Sequence, residues 1–320
     1  MNGCGRLALL TTALLLLSAC RGAQDADEPA VLPLGVLVTV APQAEMVRAI
    51  GGERVSVTEL VPAGQSPHLY EPVPSVLRAA AEATLYFTVG SGIEFERSHL
   101  ETIRQQNAGL TVLPCAEGVA LRGLAEPHHH DHGDHDGHDG HAEQGRGSLD
   151  PHIWLSPANL RAMAAHVRDG LVAADPDGEA TYTAGHLEYV GRIEELDGEL
   201  KAMLEPHAGR AFLVYHPSWG YFADAYGLRQ IAVEEGGRKP GPAGIAAVID
   251  QAREHGIQVV FVAPQFDRTA AETVAAEIGG RVVVADPLAA DVPSTLRALG
   301  GELAAGYAEA APPPGDPHDH

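Results

Sequence analysis

Short apolar runs alternate along the chain with stretches in which apolar positions recur every three or four residues. LGVLVTV (34–40) reads as a strand, and PQAEMVRAIGG (42–52) reads as a helix stopped by glycine. RVSVTELV (54–61), TLYFTVG (84–90) and LTVL (110–113) continue the strand series, with helices over 74–83 and 94–106 between them. Further on, 157–174 has helical spacing, and 177–204 keeps that spacing over about seven turns despite interior glycines. A second series follows: AFLVYH, a helix over 218–227, LRQIAV, a helix over 242–255, IQVVFVAP, a helix over 269–279, RVVVAD and a helix over 292–308. Strands that are apolar on nearly every residue belong to parallel sheets covered on both faces. The expected fold is α/β: two lobes with parallel β-sheets flanked by helices, joined by one long linking helix.

The two ends break the pattern. LALLTTALLLL, after a start carrying Arg6, is too short to span a bilayer comfortably and has the length of a secretory h-region. LSAC, ending at Cys20, resembles the bacterial lipobox, which implies cleavage before Cys20 and a lipid on its thiol. Ordinary secretion is the alternative. The resulting plan is a signal peptide over 1–19, a lipidated tether over 20–32, an N-terminal lobe over 33–174 containing a His-rich loop at 126–148, a linking helix over 175–205, a C-terminal lobe over 206–310 and a tail over 311–320. That tail, ending APPPGDPHDH, is expected to be disordered from its composition. The mature protein is expected outside the cytoplasm, in the periplasm or at the cell surface, as a membrane-anchored monomer.

Composition narrows the function. An apolar content of 45% is ample for buried cores, and the formal net charge is −22. So acidic a surface excludes nucleic acid as a partner and disfavours anionic lipid headgroups. With Cys4 removed and Cys20 lipidated, Cys115 has no disulfide partner and is expected as a small buried residue. GSG at 90–92 lacks the longer glycine pattern of a nucleotide site.

Ligands of open α/β sheets gather beyond the carboxyl ends of the strands. Four metal-competent side chains are expected there: His68 after VSVTELVPAGQSP, His152 in LDPHIWLSP, His216 ending AFLVYH and Asp286 ending RVVVAD. Taken singly, each histidine has a plainer role in satisfying backbone groups, and Asp286 before Pro287 has one in capping a turn. Together, three neutral imidazoles and a carboxylate suffice for four-coordinate Zn²⁺. His99, His166, His186, His207 and His255 fall on helix faces and are expected on the solvated surface; Trp154 and Trp219 are expected to wall the cleft.

QSPHLYEPVPS, DPHIWLSP, YHPSWGYFADAYGL and VVVADPLA, with VFVAPQFDRTAAETVAAEIGG, resemble segments of the cluster A-I (cluster 9) substrate-binding proteins of ABC transporters, in order and over nearly the whole mature chain. The resemblance implies that His68, His152, His216 and Asp286 bind a transported ion, that the ion is handed to a cognate permease driven by a cytoplasmic ATPase, and that no bond is made or broken. Manganese and iron members of that family tend to carry Glu where this chain has His216, so the resemblance points to zinc. Pro67 stands where some zinc members carry a carboxylate, which leaves Asp286, or water, for the fourth place.

HHHDHGDHDGHDGH (128–141) holds seven imidazoles and four carboxylates in fourteen positions. His128, His129, His130, His132, His135, His138 and His141 are expected to bind metal weakly as an accessory, because so polar a loop cannot preorganise one tight site. Three rivals remain: a manganese- or iron-binding relative, a zinc hydrolase using Glu71 as base, and a surface adhesin. No HExxH motif supports the hydrolase.

Overall fold

The computed structural model describes residues 32–124, 149–234 and 238–309. The expected leader, Cys20, the seven imidazoles of 128–141 and the C-terminal tail lie outside them.

The first lobe runs β1 (Leu34–Val38), α1 (Ala41–Gly51), β2 (Val55–Glu59), α2 (Pro74–Ala81), β3 (Leu85–Thr88), α3 (Glu94–Gln106) and β4 (Thr111–Pro114). Helices α4 (Pro157–Ala174) and α5 (Glu179–Leu204) lead to the second lobe. There β5 (Ala211–Val214), α6 (Gly220–Ala225), β6 (Arg229–Ala232), α7 (Pro242–Glu254), β7 (Val259–Val262), α8 (Thr269–Glu277), β8 (Arg281–Val284) and α9 (Val292–Glu309) follow. The sheets have the orders β2-β1-β3-β4 and β6-β5-β7-β8, and every strand pair is parallel. Each lobe therefore reverses its winding beside its first strand, which opens a crevice at the carboxyl ends.

Burial follows strand position. The inner strands β3, β5 and β7 are buried at every residue, whereas the edge strands β4 and β8 are exposed at both ends. This is why the inner strands carry unbroken apolar runs such as VVFV. Helix α6 is shorter than the expected 218–227. Its start is fixed late, because the backbone N–H of Ser218 turns back to His216 O and that of Trp219 donates to Gln230 Oε1.

Helix α5 packs on α1 and α4 of the first lobe and on α9 of the second. Its buried residues Tyr182, Tyr189, Ile193, Leu196, Leu200 and Leu204 lie on one helical stripe. Through them a single core cluster runs from Val36 and Phe87 of the first sheet to Phe212 and Phe261 of the second. The glycines inside α5 divide by environment. A Cβ at Gly185 would lie 2.6 Å from Ile50 O and 2.8 Å from Ala49 O, so Gly185 lets the helix close against the end of α1. A Cβ at Gly198 would meet nothing within 4 Å. Gly185→Ala is expected to destabilise the fold by about 2 kcal/mol through overpacking. Gly198→Ala should stabilise it by up to about 1 kcal/mol through helix propensity. Urea midpoints moving in the same direction for both variants would contradict this division.

Candidate metal centre

The His68 arm follows β2. The backbone N–H of Leu69 and that of Tyr70 donate to Ser66 O, and Phe95 N donates to Pro67 O at 3.1 Å, which docks the arm on the start of α3. That helix start is itself pinned. Glu96 Oε1 accepts from Val89 N at 2.6 Å and from the Thr39 hydroxyl, and its Oε2 accepts from Gly90 N at 3.0 Å. Burial raises the Glu96 carboxyl above its ordinary pKa against these donors. Glu94, in the same helical turn, then meets His68 Nδ1 at 2.5 Å. Burial pushes Glu94 upward, but the His68 hydrogen bond, the charges of His68 and Arg97 and a backbone hydrogen bond together hold the carboxyl below its usual range.

His152 sits deeper, 3% exposed, between Asp150 and the 3-10 turn Ile153–Leu155. Asp150 Oδ1 accepts from His152 N at 3.0 Å and faces His152 Nδ1 at 2.8 Å, while its Oδ2 accepts from Arg122 Nη1 at 2.9 Å. Arg122 Nε reaches Asp224 Oδ2 at 2.9 Å, and the Tyr221 hydroxyl donates to Asp150 O at 3.1 Å, so α6 braces the carboxylate from the second lobe. Burial pushes the His152 pKa down to about 4; the Asp150 hydrogen bond opposes this, and the neighbouring His216 and His68 add to it. The ring is therefore neutral at pH 7, the form in which imidazole binds metal.

His216 follows β5. Its Nδ1 meets Glu234 Oε1 at 2.6 Å, and its ring stacks on Phe266 with centroids 4.9 Å apart. Glu234, beyond β6, arrives beside His216 because β5 and β6 are paired and Glu234 N donates to Tyr215 O.

Each of the three imidazoles thus has a carboxylate at Nδ1. A carboxylate there holds the proton on Nδ1 and leaves the Nε2 lone pair free for an ion. The donor atoms of His68, His152 and His216 all lie within 4.8 Å of one another. His68 Nε2 and His152 Nε2 stand 3.4 Å apart. Two nitrogens on a tetrahedral Zn²⁺ at ~2.0–2.1 Å are separated by about 3.3–3.4 Å. His216 Nε2 is buried and has no hydrogen-bond partner among the described residues.

Asp286 follows β8 but is not one of these converging groups. Its Oδ1 accepts from Gln265 Nε2 at 2.9 Å and from Leu288 N at 3.0 Å. Pro287, Leu288, Gln265 and Phe266 complete the small cavity in front of the imidazoles. Glu71 is turned away, its side chain 85% exposed and its Oε2 3.5 Å from His99 Nε2, so it does not serve as a base in this cavity. Trp154 walls the site, edge-on to His152 with Nε1 donating to Pro287 O at 2.7 Å. Trp219 instead packs with Phe222 in the core. Cys115 is fully buried, and burial pushes its thiol up to about 12, so it is inert.

The five histidines expected on the surface are half-buried rather than solvated. His166 Nε2 pairs with Glu117 O at 2.7 Å, and His207 packs on Tyr307 at 5.1 Å. An imidazole covers apolar neighbours with its body while its nitrogen finds a backbone partner, which helical position alone does not reveal.

The profile of the family described as zinc-uptake complex component A, periplasmic, matches residues 36–298. The chain belongs to the ZnuA family. The ZnuA relatives include the high-affinity zinc uptake system protein ZnuA of Bacillus subtilis, 28% identical over 289 residues covering 88% of each chain. The manganese-binding lipoprotein MntA of Halalkalibacterium halodurans is 28% identical over 250 residues, 77% of this chain and 76% of its own. A crystal structure of ZnuA matches with a TM-score of 0.77 and 36% identity, covering 86% of this chain and 99% of that one. The expected two-lobed fold of parallel sheets is the ZnuA fold.

The residues that sequence reasoning did not name are the supports: Glu94, Asp150, Glu234, Arg122, Gln265 and Phe266. Asp150 carried a signal, standing two residues before His152 in LDPHIW, and Glu234 carried a weaker one at the carboxyl end of LRQIAV. Glu94 and Gln265 carried none, because their neighbours at the site are distant in sequence.

Proposed function

We propose that this chain captures Zn²⁺ outside the cytoplasm with His68, His152 and His216 and delivers it to an ABC permease driven by a cytoplasmic ATPase. The observation that carries this reading is the 3.4 Å separation of two carboxylate-backed Nε2 atoms, with the third imidazole beside them. Nitrogen donors of this kind suit zinc, whereas a manganese carrier is better served by carboxylate and carbonyl oxygen. No helix among the described residues is long and apolar enough to cross a membrane. The LSAC segment supports membrane attachment through a lipid on Cys20, with residues 20–32 as the tether of a monomer.

His68 is the outermost of the three rings, 20% exposed in its side chain against 3% for His152 and 13% for His216. It stands on the β2–α2 connection, whereas the other two are braced by Asp150 and Glu234, which are 0% and 4% exposed in their side chains. Because α5 ties both lobes to one core, release proceeds by withdrawal of this arm and small shifts of the lobes rather than by wide opening. The imidazoles of 128–141 act as an accessory that gathers zinc near the cleft.

Titration calorimetry on protein purified without a histidine tag tests the assignment. One tight zinc per chain is expected, retained after deletion of residues 128–141 and not displaced by equimolar Mn²⁺. Disappearance of the tight ion with the deletion would move the site into the tract and end this reading.

A further inference from the structure

The fourth place around the ion remains to be assigned, and Gln265 lines the cavity in which it would lie. It follows β7, and its Nε2 donates to Asp286 Oδ1 at 2.9 Å. Asp286 Oδ1 also accepts from Leu288 N at 3.0 Å. The carboxylate decides which end of the amide faces it, because a flipped amide would set oxygen against a charged oxygen. The other end, Oε1, is then committed to the cavity side. It is buried, and it accepts a hydrogen bond from no group among the described residues. A buried carbonyl left unpaired costs roughly 1–3 kcal/mol. Gln265 lines the same cavity as His68, His152 and His216, and His216 Nε2 is likewise buried and unpartnered. Two lone pairs with no proton between them, lining one small space, are the complement of a cation.

The second observation is a repeated arrangement. His68, His152 and His216 each present a lone pair to the cavity and carry a carboxylate on the far side of the ring: Glu94, Asp150 and Glu234. Gln265 has the same relation to Asp286, with its lone pair forward and its N–H on a carboxylate behind. We propose that Gln265 Oε1 is the fourth donor to the ion and that Asp286, instead of binding the ion itself, is the positioning group behind it. The inference rests on the zinc reading above. It makes the donor set three imidazole nitrogens and one amide oxygen, all neutral, with four carboxylates one bond further out. The hydrogen bond to Asp286 polarises the amide and makes its oxygen a better donor. A neutral set leaves the ion's charge balanced at a distance, so withdrawal of the His68 arm separates no bound anion from the cation.

The test uses the whole chain loaded with Co²⁺, whose visible bands report donor type and number, together with zinc affinity by chelator competition. Gln265→Leu is expected to shift and weaken the cobalt bands and to lower zinc affinity by at least the roughly tenfold that loss of an outer-sphere partner causes. Asp286→Asn, which keeps an acceptor behind the amide, should preserve the bands and cost less than tenfold. Gln265→Asn, which retracts the oxygen by one carbon while keeping an amide, should behave as Gln265→Leu does, and urea midpoints check that all three variants fold. Unchanged bands in Gln265→Leu, or bands altered as much or more in Asp286→Asn, would overturn the proposal. Failure of the underlying reading shows separately, as wild-type protein that takes up no stoichiometric cobalt or zinc, or as a His152→Ala chain that retains the wild-type bands.

Discussion

A His152→Ala chain folds and binds zinc at least about a hundredfold more weakly than wild type, a loss larger than outer-sphere substitutions cause at metal sites. His152 is the most deeply buried of the three rings. Its Nε2 is the atom 3.4 Å from His68 Nε2, and its ring lies 5.3 Å from that of His216, centroid to centroid. Without it, only two imidazoles are left, those of His68 and His216, one from each lobe. The fold survives because the ring is neutral at pH 7, so its removal strands no buried charge, and Asp150 keeps Arg122. Chelator competition measures the affinity and far-ultraviolet circular dichroism the fold. Tight zinc retained by a folded His152→Ala chain would remove the three-imidazole centre from consideration.

Asp150→Ala has a different signature, losing stability and affinity together. Asp150 is fully buried and joins His152 to Arg122, with Arg122 in turn on Asp224 of α6. Burial works against the charged form, yet the hydrogen bonds from His152 and Arg122 hold the carboxyl below its ordinary pKa. Breaking such a pair from one side leaves Arg122 with Asp224 alone and a buried donor without its acceptor, which costs roughly 1–3 kcal/mol. The freed imidazole loses its fixed tautomer, so zinc affinity falls roughly 10–100-fold. Urea unfolding of the chelator-treated protein separates the two effects. Wild-type stability in Asp150→Ala would show that the brace from α6 carries no weight.

The lobes were legible because a strand buried on both faces must be apolar at every position, and a helix spanning two lobes must carry one long stripe. Runs such as VVFV in β7 and the spacing of Tyr189, Ile193, Leu196 and Leu200 in α5 are direct prints of that packing. The placement of His216 was legible for a related reason: parallel strands deliver their carboxyl ends to one edge, and His216 stands just past β5; His68, on the β2–α2 connection, and His152, which follows no strand, were readable only through the resemblance of their segments. The supports were hidden. Glu94 reaches His68 across 26 residues, and Gln265 reaches Asp286 across 21, through strand pairing and helix docking that no local pattern encodes. Asp286 shows the limit most plainly. Its position after β8 was readable, but its hydrogen bond to an amide at the end of the neighbouring strand was not.

The centre draws on both halves of the molecule, with His68 and His152 from one side and His216 from the other. An ion held there is a cross-link as well as a cargo. It adds its binding free energy to that of folding, because the unfolded chain has no such constellation to offer. The protein's resistance to heat and to proteases is therefore expected to rise when the site is filled and to fall when it is emptied.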